Sequence, residues 1–401
     1  MAGTDSITIT RTIHPVGQGA FYTEIFNVPE NGSSTEHCFV YDCGSTSLNQ
    51  VAFKNRLLSS IPSGMDIDIL FISHFDADHV NGIKILADHR KIKRIVLPQI
   101  DDCEWFYIIV DCFENERVQA DEGIVSRLRD LCVKKSIPLV QVKPFNDESG
   151  VREVDEDGFR FDSLSSNGNG MLPNCSKIVF PSGGRLIWEY VPINTANEQK
   201  IKELKKSLEA FLKEQTKSEC ELSSLSAKQI VKLISESRAS IHKIYKNVFG
   251  DTNKSSMCLY SGSLTKNDTK TDPYLLTSCL CSFRCHPPIY WRINKDACLY
   301  TGDAYLTDRK LWHNIQRILS NRGGRIGLMQ IPHHGSINNS AADAFSFFGN
   351  PRSVLFVSYG YNNPYGHPSN YLISTLLRNR LPVCQVTDWQ DSTIYQEIQL
   401  N

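Results

Sequence analysis

The sequence contains no long apolar run, and this absence excludes a membrane-spanning helix. Such a helix needs about 20 consecutive, mostly apolar residues, and the chain has no comparable stretch. The first residues, MAGTDSITITRT, also lack the apolar centre of a secretory signal. We therefore expect a cytoplasmic protein with no membrane partner.

An excess of charge of one sign is also missing. Lys and Arg number 43 against 44 Asp and Glu, which gives a formal net charge of −1. No global positive field therefore indicates a nucleic-acid partner, and such binding would need a local basic patch. Cysteine is plentiful, but the 13 cysteines are odd in number and scattered. This pattern predicts reduced, buried thiols in a cytosolic protein rather than a disulfide framework.

One short segment concentrates imidazole and carboxylate groups. His74, Asp76, Asp78 and His79 lie within six residues. They directly follow the apolar run 69–72, which predicts a buried strand. The polar groups are thus expected at the C-terminal end of that strand, where α/β layers place their sites. Burying unpartnered charge is costly, and a bound cation removes the cost. A solvated loop rich in these residues is the simpler alternative.

Potential metal ligands also follow three predicted strands in the second half of the chain. They are Asp303 after 297–300, His333 and His334 after 326–331, and His367 after 354–358. Repetition of this arrangement indicates one site assembled from several strand ends. In the first half, Asp42 at the end of a predicted strand is expected to shape a turn near that site.

Strands and helices alternate through 1–196 and again through 250–401, which predicts an α/β sandwich. The segment 197–249 differs, because its apolar residues have helical spacing. We expect it to be an α-helical hairpin inserted into the fold. Its 11 Lys and Arg against 7 Asp and Glu fit a solvated face, or else a lid or an arm that contacts nucleic acid.

The motifs and their order resemble the metallo-β-lactamase superfamily and, within it, the hydrolase domain of ComEC-like DNA-uptake proteins. The resembling pieces are VGQGA, YDCG, SHFDADHVNG, TGD, PHHGS and YGHPS, and they span roughly 14–370. The resemblance implies a four-layer αββα sandwich with a metal site between the sheet edges.

The resemblance also implies the roles of individual residues. Its two divalent metal ions would be held by His74 and Asp76, by Asp78 and His79, by Asp303 between them, and by His333 or His334. Asp78 would act as a base, and His367 as a further ligand or as a donor to the leaving oxygen. Ser336 and Ser369 are candidate phosphate donors, although loop serines often bond only to local backbone.

Two departures from the superfamily pattern bear on the metals. The two ions are expected to be zinc or manganese. Asp76 replaces the middle histidine of HxHxDH, and the extra carboxylate shifts the preference towards manganese, iron or magnesium. No histidine occurs between His89 and His242, where the superfamily usually supplies a ligand. One metal is therefore expected to be held weakly, or only with substrate, unless Asp101 or Asp102 substitutes.

A carboxylate-rich site and the ComEC-like resemblance both favour a phosphodiester substrate. The first hypothesis is a metal-dependent nuclease that cleaves DNA, in antiviral defence or DNA processing in bacteria. An alternative is a small-molecule hydrolase for cyclic nucleotides, thioesters or lactones, with the helical insertion as a lid. A third is a non-catalytic or partner-dependent module that docks a protein through the insertion.

Overall fold

The structure is a computed structural model. It describes residues 6–30, 33–100, 105–106, 108–109, 124–144, 158–164, 170–216, 221–249, 256–264, 269–270, 274–277, 289–293, 295–346 and 353–400. Asp101 and Asp102 lie outside the described residues.

The first half of the chain alternates strands and helices, as the apolar periodicity predicts. Its elements are β1 (Ile7–Ile13), β2 (Phe21–Glu30), β3 (Ser33–Cys43), α1 (Gln50–Ser60), β4 (Ile69–Phe71), α2 (Ala77–Val80), α3 (Ile83–His89), β5 (Ile95–Pro98), α4 (Ile124–Lys135), β6 (Leu139–Val142), β7 (Phe159–Arg160), β8 (Met171–Leu172), β9 (Ile178–Ser182) and β10 (Arg185–Asn194).

Two long helices follow, and the second half then returns to strands. The elements are α5 (Glu198–Thr216), α6 (Ala227–Phe249), β11 (Met257–Ser263), β12 (Thr269–Lys270), β13 (Tyr274–Thr277), β14 (Ile289–Arg292), β15 (Ala297–Tyr300), α7 (Arg309–Ile318), β16 (Ile326–Gln330), α8 (Ala342–Ser346), β17 (Val354–Ser358), α9 (Asn370–Arg378), β18 (Val383–Val386) and β19 (Ile394–Leu400).

The strands form two large sheets. One has the order β14-β13-β19-β1-β2-β3-β4-β5-β6-β8, with β12 also on β19, and the other has the order β18-β17-β16-β15-β11-β10-β9-β7. Each sheet contains a parallel part: β3 to β6 in the first and β15 to β18 in the second. The carboxyl ends of parallel strands share one edge, so the loops after them are brought together.

Three hydrophobic clusters define four layers. The central cluster joins the facing sides of the two sheets and contains Tyr22, Phe39, Tyr190 and Phe356. A second cluster packs the first sheet against helices that include α1 and α3, and a third packs the second sheet against α7 and α9. The order is therefore helix, sheet, sheet, helix, and the predicted αββα sandwich is confirmed.

The helices α5 and α6 lie in the segment predicted as an insertion. Leu204, Leu208, Ile234 and Ile241 on their apolar faces are buried in the cluster that covers the first sheet. At the start of α6, Ser226 and Gln229 form a capping box, in which each side chain accepts the other residue's backbone N–H. The division of the chain into domains remains a prediction.

The two ends of this helical segment meet. The backbone N–H of Thr195 donates to the carbonyl of Ser256 at 2.9 Å. The N–H of Ser256 donates in turn to the Thr195 hydroxyl at 3.0 Å. The helical pair thus leaves and rejoins the sandwich at one point. Among the described residues, no helix is both long enough and apolar enough to cross a membrane.

Candidate metal centre

The candidate site lies where loops from both sheets meet. His74 follows β4, Asp303 follows β15, and His334 follows β16. Met257 connects the two sheets at this place, because its N–H donates to the carbonyl of Ser73 at 2.7 Å. Side chains from distant parts of the sequence are therefore held against one another by the packing of the two sheets.

Asp42 organises the first part of the site. It is fully buried at the end of β3, and its backbone is in the left-handed region with φ of 55°. Its carboxylate accepts three hydrogen bonds: from the Ser73 N–H at 2.7 Å, from the Ser73 hydroxyl at 2.7 Å and from Nδ1 of His79 at 2.8 Å. Asp42 thus does more than shape a turn: it orients a site histidine.

The same contacts fix the tautomers of two histidines. The Ser73 hydroxyl gives its proton to Asp42, so its oxygen accepts from Nδ1 of His74 at 2.8 Å. Nδ1 of His79 donates to Asp42. In their neutral form both rings therefore carry the proton on Nδ1 and present the lone pair of Nε2 to the site, as metal-ligating histidines backed by a carboxylate do.

Asp303 lies between the histidines. Its Oδ1 is 3.4 Å from Nε2 of His79, and its Oδ2 is 3.5 Å from Nε2 of His74 and 3.7 Å from Nε2 of His333. Its backbone N–H donates to the Ser256 hydroxyl at 3.2 Å, where the helical segment rejoins the sandwich. The position fits the bridging role that the sequence predicts.

His334 joins the other side of the site. Its Nε2 is 3.0 Å from Oδ2 of Asp78, and its Nδ1 donates to the carbonyl of Ser358 at 2.7 Å. Two groups of side chains are close enough to hold an ion: His74 with His79 and Asp303, and Asp78 with His79 and His334. Of the adjacent histidine pair, His334 therefore has the geometry of a ligand.

His333 is placed differently. Its side chain is 40% exposed and faces Oδ2 of Asp303 from the open side of the site. Both His333 and His334 have left-handed backbone, with φ of 48° and 54°. Such values are uncommon outside glycine and often mark functional positions. Here they turn two consecutive side chains towards the same centre.

The donor set fits a divalent cation. Nε2 of His74, Nε2 of His79 and Oδ1 of Asp303 are buried atoms with no hydrogen-bond partner. Burying polar atoms in this way costs free energy, and almost all buried polar atoms in proteins have a partner. Imidazole nitrogen and carboxylate oxygen are also the ligand types that zinc, manganese and iron take. A cation satisfies all three atoms at once.

The acidic side chains and the histidines of the site stabilise one another's charged forms. Burial opposes the charged form of His79, but the carboxylates of Asp303, Asp78 and Asp42 raise its pKa well above the ordinary value. Burial would likewise raise the pKa of Asp303, whereas the neighbouring His333, His79 and His74 hold this pKa well below its usual range. Asp303 is therefore ionised, and a bound cation would replace the Nε2 protons of the histidines.

The remaining predicted residues lie at the edge of the centre. Oδ2 of Asp76 is 3.3 Å from Nε2 of His74. The His367 ring lies 5.7 Å from the ring of His333, centroid to centroid, and burial followed by the His333 and His334 charges lowers the pKa of His367 to about 4.

The two predicted phosphate donors have local backbone partners. The buried Ser336 hydroxyl accepts the N–H of Asn338 at 3.3 Å. The Ser369 hydroxyl caps α9 by accepting the N–H of Leu372 at 3.4 Å. Their contact with substrate remains a prediction.

Comparison with known proteins agrees with this architecture. A family model described as Metallo-beta-lactamase superfamily matches residues 33–162, a segment that includes Asp42 and the loop from His74 to His79. This part of the chain is therefore similar to metallo-β-lactamase superfamily domains. Asp303 and His334 lie beyond the matched segment.

A solved structure with similarity is the long form RNase Z from yeast. The sequence identity is 8% and the TM-score 0.33, and the similarity covers 88% of this chain and 38% of that one. The chain thus spans less than half of the RNase Z structure. No curated protein matches the sequence. The ComEC-like branch remains a prediction.

Proposed function

We propose that this protein is a metal-dependent phosphodiesterase that cleaves nucleic acid, with DNA as the first candidate. The observation that carries the proposal is the set of three buried, unpartnered ligand atoms on His74, His79 and Asp303. Most buried polar atoms in proteins have a hydrogen-bond partner. In a site that binds a cation, the ligand atoms face the position that the ion occupies.

The balance of ligand types supports a phosphodiester substrate. Asp76, Asp78 and Asp303 supply three carboxylates beside the histidines. Oxygen-rich sites favour hard cations such as manganese or magnesium, which also bind phosphate oxygens well. The exposed His333 leaves one side of the centre open to a large substrate.

Bound divalent cations would supply a water of lowered pKa and would neutralise charge that develops on the phosphate. The chain's own residues would hold and orient the reacting groups. His334 and Asp42 fix Asp78 and His79, respectively, through hydrogen bonds of 3.0 and 2.8 Å. Burial opposes ionisation of Asp78, but His79 and His334 hold its pKa below its usual range. This favours a ligand role for Asp78 over the role of base.

His367 is suited to the leaving group. With a pKa of about 4 it is neutral at neutral pH. A neutral imidazole has one N–H to donate, and the ring lies beside His333 at the open side of the site. We propose that His367 donates a hydrogen bond to the leaving oxygen.

The test combines metal content with cleavage. The purified chain should contain divalent metal by mass spectrometry and should cleave labelled single-stranded or double-stranded DNA with manganese or zinc. Asp303→Asn should lose both properties. Asp308→Asn is the matched control, because Asp308 only caps α7 and asparagine caps a helix equally well.

Two other results would support a different function. Absence of bound metal and of cleavage with any divalent ion would overturn the proposal and favour a non-catalytic module. Turnover of bis(p-nitrophenyl) phosphate without DNA cleavage would keep the phosphodiesterase and replace nucleic acid with a small molecule.

A further inference from the structure

Exposed aromatic side chains are concentrated beside the metal centre. Among the aromatic residues whose exposure the structure describes, five have largely exposed side chains, and Tyr361, Tyr365, Tyr371 and Trp389 are four of them, at 52% to 70% exposure. Exposed apolar surface of this kind is unfavourable in water and often marks a place where a ligand binds. Three of these side chains, Tyr361, Tyr365 and Trp389, form what we name the aromatic rim.

The loop after β17 connects the aromatic rim to the metal centre. It starts at Ser358, whose carbonyl accepts the hydrogen bond from His334. Asn363 braces the loop, because its amide donates to the carbonyls of Gly360 at 2.7 Å and of His367 at 2.6 Å. The N–H of Tyr365 donates to the Asn363 oxygen at 3.1 Å. These contacts stabilise the backbone of the loop that carries the rings.

A series of rings leads outwards from the metal centre. The His333 ring, which faces Asp303, lies 5.7 Å from the ring of His367. The Tyr365 ring lies 6.1 Å beyond His367 and is nearly parallel to it, at 22°. A flat group entering along this path would find aromatic faces beside the candidate metal centre.

Tyr361 and Trp389 extend the rim. Their ring centroids are 5.2 Å apart, at an interplanar angle of 32°. The pair comes from the ends of the adjacent parallel strands β17 and β18. The N–H of Tyr361 donates to Oδ1 of Asp388 at 3.0 Å, which fixes the two segments together. The two rings thus form one continuous aromatic surface.

We infer that the aromatic rim stacks unpaired nucleobases of a single strand whose phosphate lies at the metal centre. Stacking on aromatic side chains is the common way to hold single-stranded nucleic acid, because every base has a π face. The inference rests on the proposed function and adds to it the class of nucleic acid.

The charges of the rim favour single strands over duplexes as the ligand. The two segments that carry it, 359–368 and 387–391, contain Asp388 and Asp391 but no lysine or arginine. These two segments themselves therefore do not attract phosphate, and we expect the bases to supply the affinity there. The bases of a duplex are stacked on one another inside it and are not available to the rim. A single strand offers them.

Binding to uncleavable strands tests the inference. The full chain is titrated into a short fluorescein-labelled DNA strand with phosphorothioate linkages, and fluorescence anisotropy is measured. Because stacking contributes about 1–3 kcal/mol per base, Trp389→Ala and Tyr361→Ala should each weaken binding about tenfold. The matched control is Leu377→Ala, which removes an exposed apolar side chain on α9 outside the rim and should not change binding.

The strand itself supplies the second control. A strand of equal length and charge that lacks bases should bind the wild-type protein at least tenfold more weakly, and the rim substitutions should not weaken it further. Binding of the base-bearing strand should depend only slightly on salt, because few phosphates are neutralised at the rim.

Several outcomes would overturn the inference. Equal affinity for the strand without bases or for a duplex would show that bases do not stack on the rim. Displacement of the strand by an equal concentration of a nucleoside monophosphate would assign the rim to a small nucleotide. A wild-type dimer that Trp389→Ala converts to a monomer in sedimentation would assign the rim to a second copy of the chain.

The proposed function is tested separately, by metal content and by hydrolysis of bis(p-nitrophenyl) phosphate. Hydrolysis without base-dependent strand binding leaves the proposed function intact and refutes the rim. Base-dependent strand binding by a protein that contains no metal supports the rim and refutes the proposed function.

Discussion

Two buried clusters of charged side chains lie in the same sandwich and differ in how they are satisfied. In the first, which we name the Arg11 cluster, Nε of the fully buried Arg11 is 2.7 Å from Oε1 of Glu24. Glu24 also accepts hydrogen bonds from the hydroxyls of Tyr190 and Tyr300, at 2.8 and 2.9 Å, and from Ser261. The second cluster is the metal centre, in which three buried ligand atoms have no hydrogen-bond partner.

This difference distinguishes a cluster that stabilises the fold from one that can bind a ligand. The Arg11 cluster joins β1 and β2 of one sheet to β10, β11 and β15 of the other, and it supplies a partner for each charge. Both clusters are buried and charged, so burial and charge do not distinguish them. The unpartnered atoms distinguish them, because a cluster that serves only the fold has no reason to bear their cost.

The largest predicted effect is on the Arg11 cluster. Glu24→Gln leaves the buried Arg11 without its counter-ion, and loss of one partner of a buried pair costs about 3–5 kcal/mol. Urea unfolding in the presence of EDTA should show this loss. Asp303→Asn, measured in the same way, should cost less, because the histidines that face Asp303 can lose their protons, whereas Arg11 stays charged. Equal losses would contradict the distinction between the clusters.

The metal centre should gain stability only with metal. A ligand at 100 times its dissociation constant stabilises a protein by about 2.7 kcal/mol. Manganese or zinc should therefore raise the midpoint of thermal unfolding of the wild type, and EDTA should reverse the rise. Asp303→Asn should show no rise. A shift of the same size in both proteins would place the ion elsewhere.

A smaller effect is expected at Asp42. Asn at this position tolerates the left-handed backbone, but it lacks the charge that orients His79. Loss of such a supporting carboxylate lowers metal affinity about 10-fold to 100-fold. Calorimetric titration with metal measures this change, with Asp308→Asn as the control. Unchanged affinity would show that Asp42 serves the turn alone.

A buried histidine outside both clusters makes the stability depend on pH. His14 stacks on Phe21, and its Nε2 is 2.8 Å from the Thr23 hydroxyl oxygen. Burial, and then the charge of Arg56, lower the pKa of His14 to about 3, from 6.5. Between these values the unfolded chain binds a proton that the folded chain does not.

Stability should therefore fall as the pH falls through this window, by at most about 1.4 kcal/mol per pH unit. Denaturant unfolding of wild type and His14→Gln, measured between pH 6.5 and 4, tests this. The variant should show the shallower slope, and equal slopes would exclude His14 as the source.

Much of the fold and of the site follows from the sequence. Apolar runs that end in His74, Asp303 and His334 are local patterns, and they predict both the strands and the edge where the ligands meet. The αββα order follows from the same alternation.

Other features depend on contacts that no local pattern contains. Asp42 and Ser73 are 31 positions apart in the sequence, and they meet because β3 and β4 pair in parallel. The choice between His333 and His334 depends on two left-handed backbone angles. Tyr361 meets Trp389 only because β17 and β18 are neighbours.

The pairing of Asp78 with His334 has a consequence for synthesis. These residues are 256 positions apart in the sequence, so the ribosome must make most of the chain before the second ligand exists. A prematurely terminated product that ends before Asp303 lacks both Asp303 and His334 and cannot assemble the proposed centre. For an enzyme that cleaves nucleic acid, as proposed here, the nascent chain is harmless to the messenger and the genome of the cell that makes it until nearly the whole chain has been translated.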